Sequence, residues 1–311
     1  MGATTGIAWT RSSFNPWIGC TEVSPGCDNC YARTLDARHK YGGKTHWGVC
    51  VPRHRTSVHY WQQPLRWNKV AAMELETGRC VDWHKPGFWP VFPSLCDPFD
   101  NEVPVEWHGD FWRLIRATPH LTWLLLTKRV GNVAKMHPGG DYQNVWLGAS
   151  IVNQEEADRD IPKLLATPAA KRFVSYEPAL GPVNFDNGES SWLSCNGQNR
   201  TGCDDDEHYC CESNTNGLPH FRGIDQIIVG GESSQGGKQA RPFNIEWARS
   251  TVRQCREAGV ACFVKQLGSQ PLGDYSAFEK GIYPITLKDR AGADPAEWPS
   301  DLRVQEFPKI T

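Results

Sequence analysis

The sequence holds no run of about eighteen apolar residues, so it offers no candidate membrane-spanning helix. Charge of one sign is also scarce. With 33 Lys and Arg against 35 Asp and Glu, the formal net charge is −2, which argues against a broadly basic nucleic-acid binder but leaves room for a local basic cleft. No tandem repeat accounts for the chain's rhythm. The start, Met1 to Gly6, lacks a basic segment followed by an apolar one, so a cytoplasmic protein without a secretory signal is expected. Gly2 as a lipidation signal is the lesser reading there.

Cysteine, by contrast, is plentiful. Twelve cysteines without a signal segment point to metal binding or a reduced interior rather than a disulfide scaffold. Three of them, Cys20, Cys27 and Cys30, fall within eleven residues, with gaps of six and two and a Pro25-Gly26 turn before the second. Three thiolates from one loop can hold three corners of an iron–sulfur cluster and leave the fourth iron open. The fourteen tryptophans read first as core and loop packing, and second as rings that stack on bases.

Along the chain, residues 6–19 read as a strand leading into the cysteine loop, and 31–43 as a helix closed by Gly42-Gly43. Residues 44–87 read as an irregular insertion with one helix near 64–76. Its His46, His54, His59, His84, Cys50 and Cys80 match no tight metal motif. From 88 onward apolar strands at 88–95, 121–128, 144–151, 171–178, 224–233 and 260–268 are interleaved with helices at 105–119, 155–168 and 244–259. Near-continuous apolar strands alternating with helices predict a parallel sheet covered by helices. With the strand at 6–19 these make seven, which suit a partial or complete parallel β/α barrel. The expected organisation is a barrel domain over 1–270, with insertions at about 44–87 and 186–223, and a C-terminal extension over 271–311 acting as cap and loop. The 186–223 insertion is polar and carries Cys195, Cys203, His208, Cys210 and Cys211. A structural zinc there and a surface insertion with reduced cysteines are both open.

Ligands in parallel α/β folds bind at the carboxyl ends of the strands. Beyond the cysteines, those positions hold Ser94, Asp97, Thr127, Lys128, Ser150, Glu177 and Glu232. Singly each has a plain reading: Asp97-Pro98 a turn, Lys128-Arg129 a solvated helix start, Glu177-Pro178 a cap. Together, acids and hydroxyls suit an ammonium group and ribose, and Lys128 suits a carboxylate.

The cysteine loop resembles the cluster-binding loop of the radical S-adenosylmethionine superfamily. It departs from the commonest spacing there, three residues then two, and its aromatic Tyr31 follows the last cysteine instead of preceding it. Over TGIAWTRSSFNPWIGCTEVSPGCDNCYA, VWLGASIVNQEEADRDIPKLL, RFVSYEPALGPV, IDQIIVGGESSQGGKQARP and FVKQLG, which fall between residues 5 and 268, the chain looks like a family of phage- and prophage-encoded three-cysteine proteins of unknown function. The layout SLCDPF…LLLTKR…VSYEP is also similar to spore photoproduct lyase, which acts on thymine in DNA.

The resemblance implies a [4Fe–4S] cluster on Cys20, Cys27 and Cys30, with S-adenosylmethionine on its open iron and a 5′-deoxyadenosyl radical as product of their reaction. It implies S-adenosylmethionine contacts from Ser94, Asp97, Lys128, Ser150, Glu177 and Glu232. It implies an electron donor such as flavodoxin or ferredoxin, and the host cytoplasm as location for a phage-encoded protein. The expected substrate is a hypermodified, thymidine-type base in phage DNA, altered by rearrangement or another modification, so that isomerase, lyase and transferase all stand open. The competing expectation is a zinc-stabilised nucleic-acid-binding or adaptor protein, with His39 or His46 as fourth ligand.

Overall fold

The protein is described from a computed structural model. It covers residues 5–80, 83, 85–139, 142–186, 191–193, 223–273 and 281–309. The sequence-derived zinc candidates Cys195, Cys203, His208, Cys210 and Cys211 lie outside the described residues. The chain divides into two compact units, residues 1–150 with 167–171, and 151–166 with 172–309.

The first unit opens with β1 (Ser12–Ser13) and β2 (Trp17–Ile18), followed by helix α1 (Tyr31–His39). After β3 (His54–Arg55) and α2 (Gln63–Thr77) come β4 (Pro90–Phe92), α3 (Val105–Arg116), β5 (Thr122–Thr127), α4 (Val130–Met136) and β6 (Val145–Ile151). Strands β1, β4, β5 and β6 lie in that order, each parallel to its neighbour. Strand β2 leaves this sheet and pairs antiparallel with β3. Every residue of β6 is buried and β5 nearly so, as expected of strands covered on both faces. Helix α3 turns His108, Phe111, Trp112, Leu114 and Ile115 inward and leaves its charged residues on the other side.

The second unit contains α5 (Gln154–Leu165), β7 (Lys171–Tyr176), β8 (Gln226–Gly230), β9 (Phe243–Asn244), α6 (Ile245–Ala258), β10 (Ala261–Gln266), β11 (Pro271–Gly273) and β12 (Tyr283–Pro284). Here β7, β8 and β10 run parallel in that order. Local chemistry sets the helix ends. Asn153 accepts the Glu156 amide at the start of α5, Asn244 accepts the Glu246 amide at the start of α6, and Gly259 takes the left-handed conformation that closes α6.

The mixed α/β class and its parallel strands, the strand set of a partial barrel, are as the sequence leads one to expect. Three details differ. Helix α1 stops at His39, and Lys40 rather than Gly42-Gly43 forms its left-handed cap, because the Lys40 amide already reaches the Asp36 carbonyl at 2.7 Å. Helix α4, absent from the sequence reading, fills the β5–β6 connection. The segment after 268 is more than a cap and loop. It adds β11 and β12 to β9, and it buries Trp298 and bonds the Val264 amide to the Val304 carbonyl within the second unit.

The insertion before β4 is held by a buried ion pair. Arg11 meets Glu74 of α2 through two bonds of 2.7 and 2.8 Å, and its guanidinium lies 3.6 Å over the Trp89 ring. Both side chains are less than a tenth exposed. Glu74→Ala strands the guanidinium in a desolvated position and is expected to cost about 3–5 kcal/mol. Replacing both partners by Met and Leu is expected to recover most of that loss, as urea unfolding of the two variants would show.

Candidate cluster site

The cysteine loop begins at Gly19, whose φ is 120°. A Cβ there would sit 2.3 Å from the His46 carbonyl oxygen, so no other residue fits without moving backbone. The Gly19 amide bonds the Leu95 carbonyl just past β4, and Gly19 and Cys20 form isolated parallel bridges with Cys96 and Trp47. Ser24 caps a short turn of helix over Pro25–Cys27 by accepting the Gly26 amide. The Cys27 amide then bonds the Ser24 carbonyl, and the Cys30 amide bonds the Cys27 carbonyl. Cys30 stands at the start of α1, and Tyr31 anchors that end: its ring packs with Ile18, Ala32 and Leu95, and its hydroxyl donates to the Ser94 carbonyl at 2.8 Å.

A second layer of buried charge holds the loop from behind. Arg53, fully buried, bonds Asp100 at 2.8 Å, the Thr21 hydroxyl at 2.7 Å and the Gly48 and Val51 carbonyls. The Thr21 hydroxyl in turn has two acceptors within reach of its one proton, Glu102 Oε1 at 2.8 Å and the Gly48 carbonyl at 2.9 Å. Part of the 44–87 insertion is therefore the backing of the cysteine loop. His46 belongs to this support: it is buried, and both its amide and its Nδ1 meet the Asp36 carboxylate, at 2.6 and 3.0 Å. His39 is exposed and packs beside Tyr41.

The strand-end residues of the first unit converge on the same loop. The Asp97 carboxylate accepts from the Thr127 hydroxyl (2.7 Å), the Phe99 and Lys128 amides (2.9 and 3.2 Å) and Arg129 Nη1 (3.0 Å). Arg129 also donates to Cys20 Sγ at 3.3 Å and to the Thr21 carbonyl at 2.7 Å. The Lys128 ammonium donates to the Ser150 hydroxyl at 2.8 Å, and its charge acts on Cys30. The Ser94 hydroxyl faces Ser13 at 2.6 Å. Asp97 is thus committed to its own chain, whereas Lys128 and Ser150 form a polar pair at the carboxyl ends of β5 and β6.

Arg129, read from the sequence as a solvated helix start, is buried and contacts a cysteine. Its position in the string Thr127-Lys128-Arg129 at a strand end was the available signal. Cys96 was also passed over. It is partly buried and bridges Gly19 through the backbone, and burial, followed by the charges of Asp97 and Cys20, pushes its thiol well above the ordinary range.

The donor chemistry fits a cluster. Cys20, Cys27 and Cys30 are all free and partly buried. Burial, with Asp97 adding to it, pushes the Cys20 thiol up to about 12, while Arg129 works the other way. Burial also raises Cys30, against the Arg33 amide, the Lys128 charge and the Ala32 amide. Cation and amide donors of this kind are what a bound thiolate needs. Among the described residues no three His, Cys, Asp or Glu side chains are placed round a single metal ion. Thiolates of a four-iron cluster bind separate irons and stand farther apart than ligands of one ion.

Glu177 and Glu232 lie in the second unit, each beside a cation. Lys265 Nζ is 3.0 Å from Glu177 Oε1, an ion contact whose angle does not make a hydrogen bond. The Ser175 hydroxyl donates to the other Glu177 oxygen at 3.3 Å. Glu232 accepts from Arg241 Nη2 at 2.7 Å, Nε at 3.1 Å and its amide at 2.9 Å. A cleft of about 580 Å³ in the same unit is lined by Ser233, Ser234, Ser269, Asp289 and Arg290, and none of the sequence-derived site residues line it.

Gly19→Ala is expected to open the loop. Alkylation of Cys20 by iodoacetamide, slow in the wild type because the thiol is buried and protonated, should become at least several-fold faster. An unchanged rate would show that the close contact at Gly19 does not hold the loop.

No curated protein and no solved structure matches this chain. A family model described as a protein of unknown function (DUF5131) matches residues 4–290, and the chain belongs to that family.

Proposed function

We propose that the protein is a radical S-adenosylmethionine enzyme. The observation that carries this reading is a loop of three free cysteines, one of them bonded by Arg129 just past the end of β5, with Lys128 and Ser150 paired at the carboxyl ends of neighbouring parallel strands. A four-iron cluster bound by Cys20, Cys27 and Cys30, with S-adenosylmethionine on its open iron, would supply a 5′-deoxyadenosyl radical able to take hydrogen from an unactivated carbon. The chain's part is to place and shield. Lys128 offers an ammonium to a carboxylate, and Ser150 holds that ammonium in place. Tyr31 and the Arg53 network fix the loop, and the apolar interior of the first unit excludes water.

A hypermodified, thymidine-type base in phage DNA, rearranged or otherwise modified, is the substrate the sequence resemblance favours. Among the described residues of the first unit, one surface place supports a nucleic-acid partner: partly exposed Arg55, paired with Asp110 at 2.5 Å, lies 4.9 Å from the Trp61 ring and 5.7 Å from Trp107, a grouping of cation and rings suited to stacking on unpaired bases.

Anaerobic reconstitution with iron and sulfide should load about four irons per chain. Cys27→Ala should abolish both iron uptake and 5′-deoxyadenosine formation. Lys128→Ala should keep the iron but bind S-adenosylmethionine at least tenfold more weakly. Tight uptake of one zinc in place of iron would overturn the proposal in favour of a zinc-stabilised binding protein.

A further inference from the structure

The buried Arg129–Asp97 pair has no partner in bulk solvent: the two side chains are 8 % and 7 % exposed. Arg129 spends its planar fork on three acceptors at once, Cys20 Sγ, Asp97 Oδ2 and the Thr21 carbonyl. A lysine could not span them, since its single nitrogen lacks the fork. Asp97 is aligned by Thr127 and by the Phe99 and Lys128 amides, so its charge is fixed relative to the guanidinium. Holding the loop by backbone alone would need only the Thr21 bond. The N–H directed at sulfur, with a carboxylate set behind it, has a further consequence.

We infer that Arg129 is a positioning residue that sets the electron affinity of a cluster held at Cys20, with Asp97 as the opposing charge. The inference rests on the cluster reading above. The step concerned is the uptake of one electron from a low-potential one-electron donor. The cluster's net charge falls by one, no bond is made or broken, and no proton moves. Hydrogen bonds to ligand sulfur, together with local charge, set the ease of that step. A guanidinium 3.3 Å from Sγ favours the more negative, reduced form, and the fixed carboxylate opposes it. The two residues therefore pull in opposite directions, which packing alone would not produce.

The test is a dithionite titration, with redox mediators and electron paramagnetic resonance detection, of reconstituted wild type, Arg129→Met, Arg129→Lys and Asp97→Asn. Arg129→Met should lower the reduced-to-oxidised ratio at fixed potential by about tenfold, about 59 mV for one electron. Asp97→Asn should shift the ratio the other way, and Arg129→Lys should fall between wild type and Arg129→Met. Electron–nuclear double resonance should detect an exchangeable proton coupled to the wild-type cluster that is absent from Arg129→Met. Equal midpoints in all four proteins, or shifts of the same sign in Arg129→Met and Asp97→Asn, would overturn the role of Arg129 while leaving the cluster reading intact. A wild type that takes up no four-iron cluster overturns both. Should Arg129→Met fail to fold, the signs seen in Arg129→Lys and Asp97→Asn decide the matter.

Discussion

The first unit depends on one carboxylate. Asp97 follows β4, receives the hydroxyl of Thr127 and the amide of Lys128 from the end of β5, and pairs with Arg129 at the start of α4. Through Arg129 it reaches Cys20 and the Thr21 carbonyl. A single buried group thus ties two strand ends to a loop more than seventy residues away in sequence. An ionised carboxylate so little exposed is tolerable only because four donors surround it. The same donors fix where the strand ends can stand.

Buried ion pairs recur wherever an irregular segment must dock on this sheet. Arg11–Glu74 fastens α2 and Arg53–Asp100 fastens the stretch behind the cysteine loop, while hydrogen bonds to Asp36 hold His46. These segments carry too little periodic apolar surface to settle by hydrophobic burial alone. Helix α1, for instance, buries only Ala32 and Asp36. Directional pairs then supply what burial does not, a unique position. The fourteen tryptophans mostly fill space: eight are buried and none is fully exposed. That favours packing over base stacking for all but the ring pair beside Arg55.

The strands were legible in the sequence because parallel strands covered on both faces must be apolar throughout, as in Leu124-Leu125-Leu126 and Val145-Trp146-Leu147. Helix α4 was not, since Val-Gly-Asn-Val-Ala-Lys-Met is short, contains Gly131, and has only Val130 and Val133 to bury. The cysteine loop announced itself by spacing, and Lys128 and Ser150 by their places at strand ends. Arg129 could not be found that way. Its partner Cys20 is 109 residues distant, and an arginine after a lysine at a helix start looks solvated until the fold closes over it. Arg53 was hidden for the same reason, inside a stretch whose histidines and cysteines drew attention to metals.

Strand-end position alone does not make a residue available. Seven polar strand-end residues looked equivalent in sequence, yet their partners separate them. Asp97 is saturated by its own chain, Glu232 is gripped by three donors of Arg241, and Ser94 is bonded to Ser13. An incoming ammonium would have to displace an existing cation from Glu232, and the guanidinium competes with the advantage of a fork geometry. Glu177 is held more loosely. Its Oε1 is desolvated, with Lys265 close but misaligned, and a Cβ on Gly230 would lie only 3.3 Å away. A carboxylate with one poorly satisfied oxygen gains from a better-aligned donor, because leaving such an atom unbonded costs about 1–3 kcal/mol. Of the two strand-end acids of the second unit, Glu177 therefore has more to gain from a ligand ammonium or hydroxyl, and Glu232 is better understood as part of the scaffold.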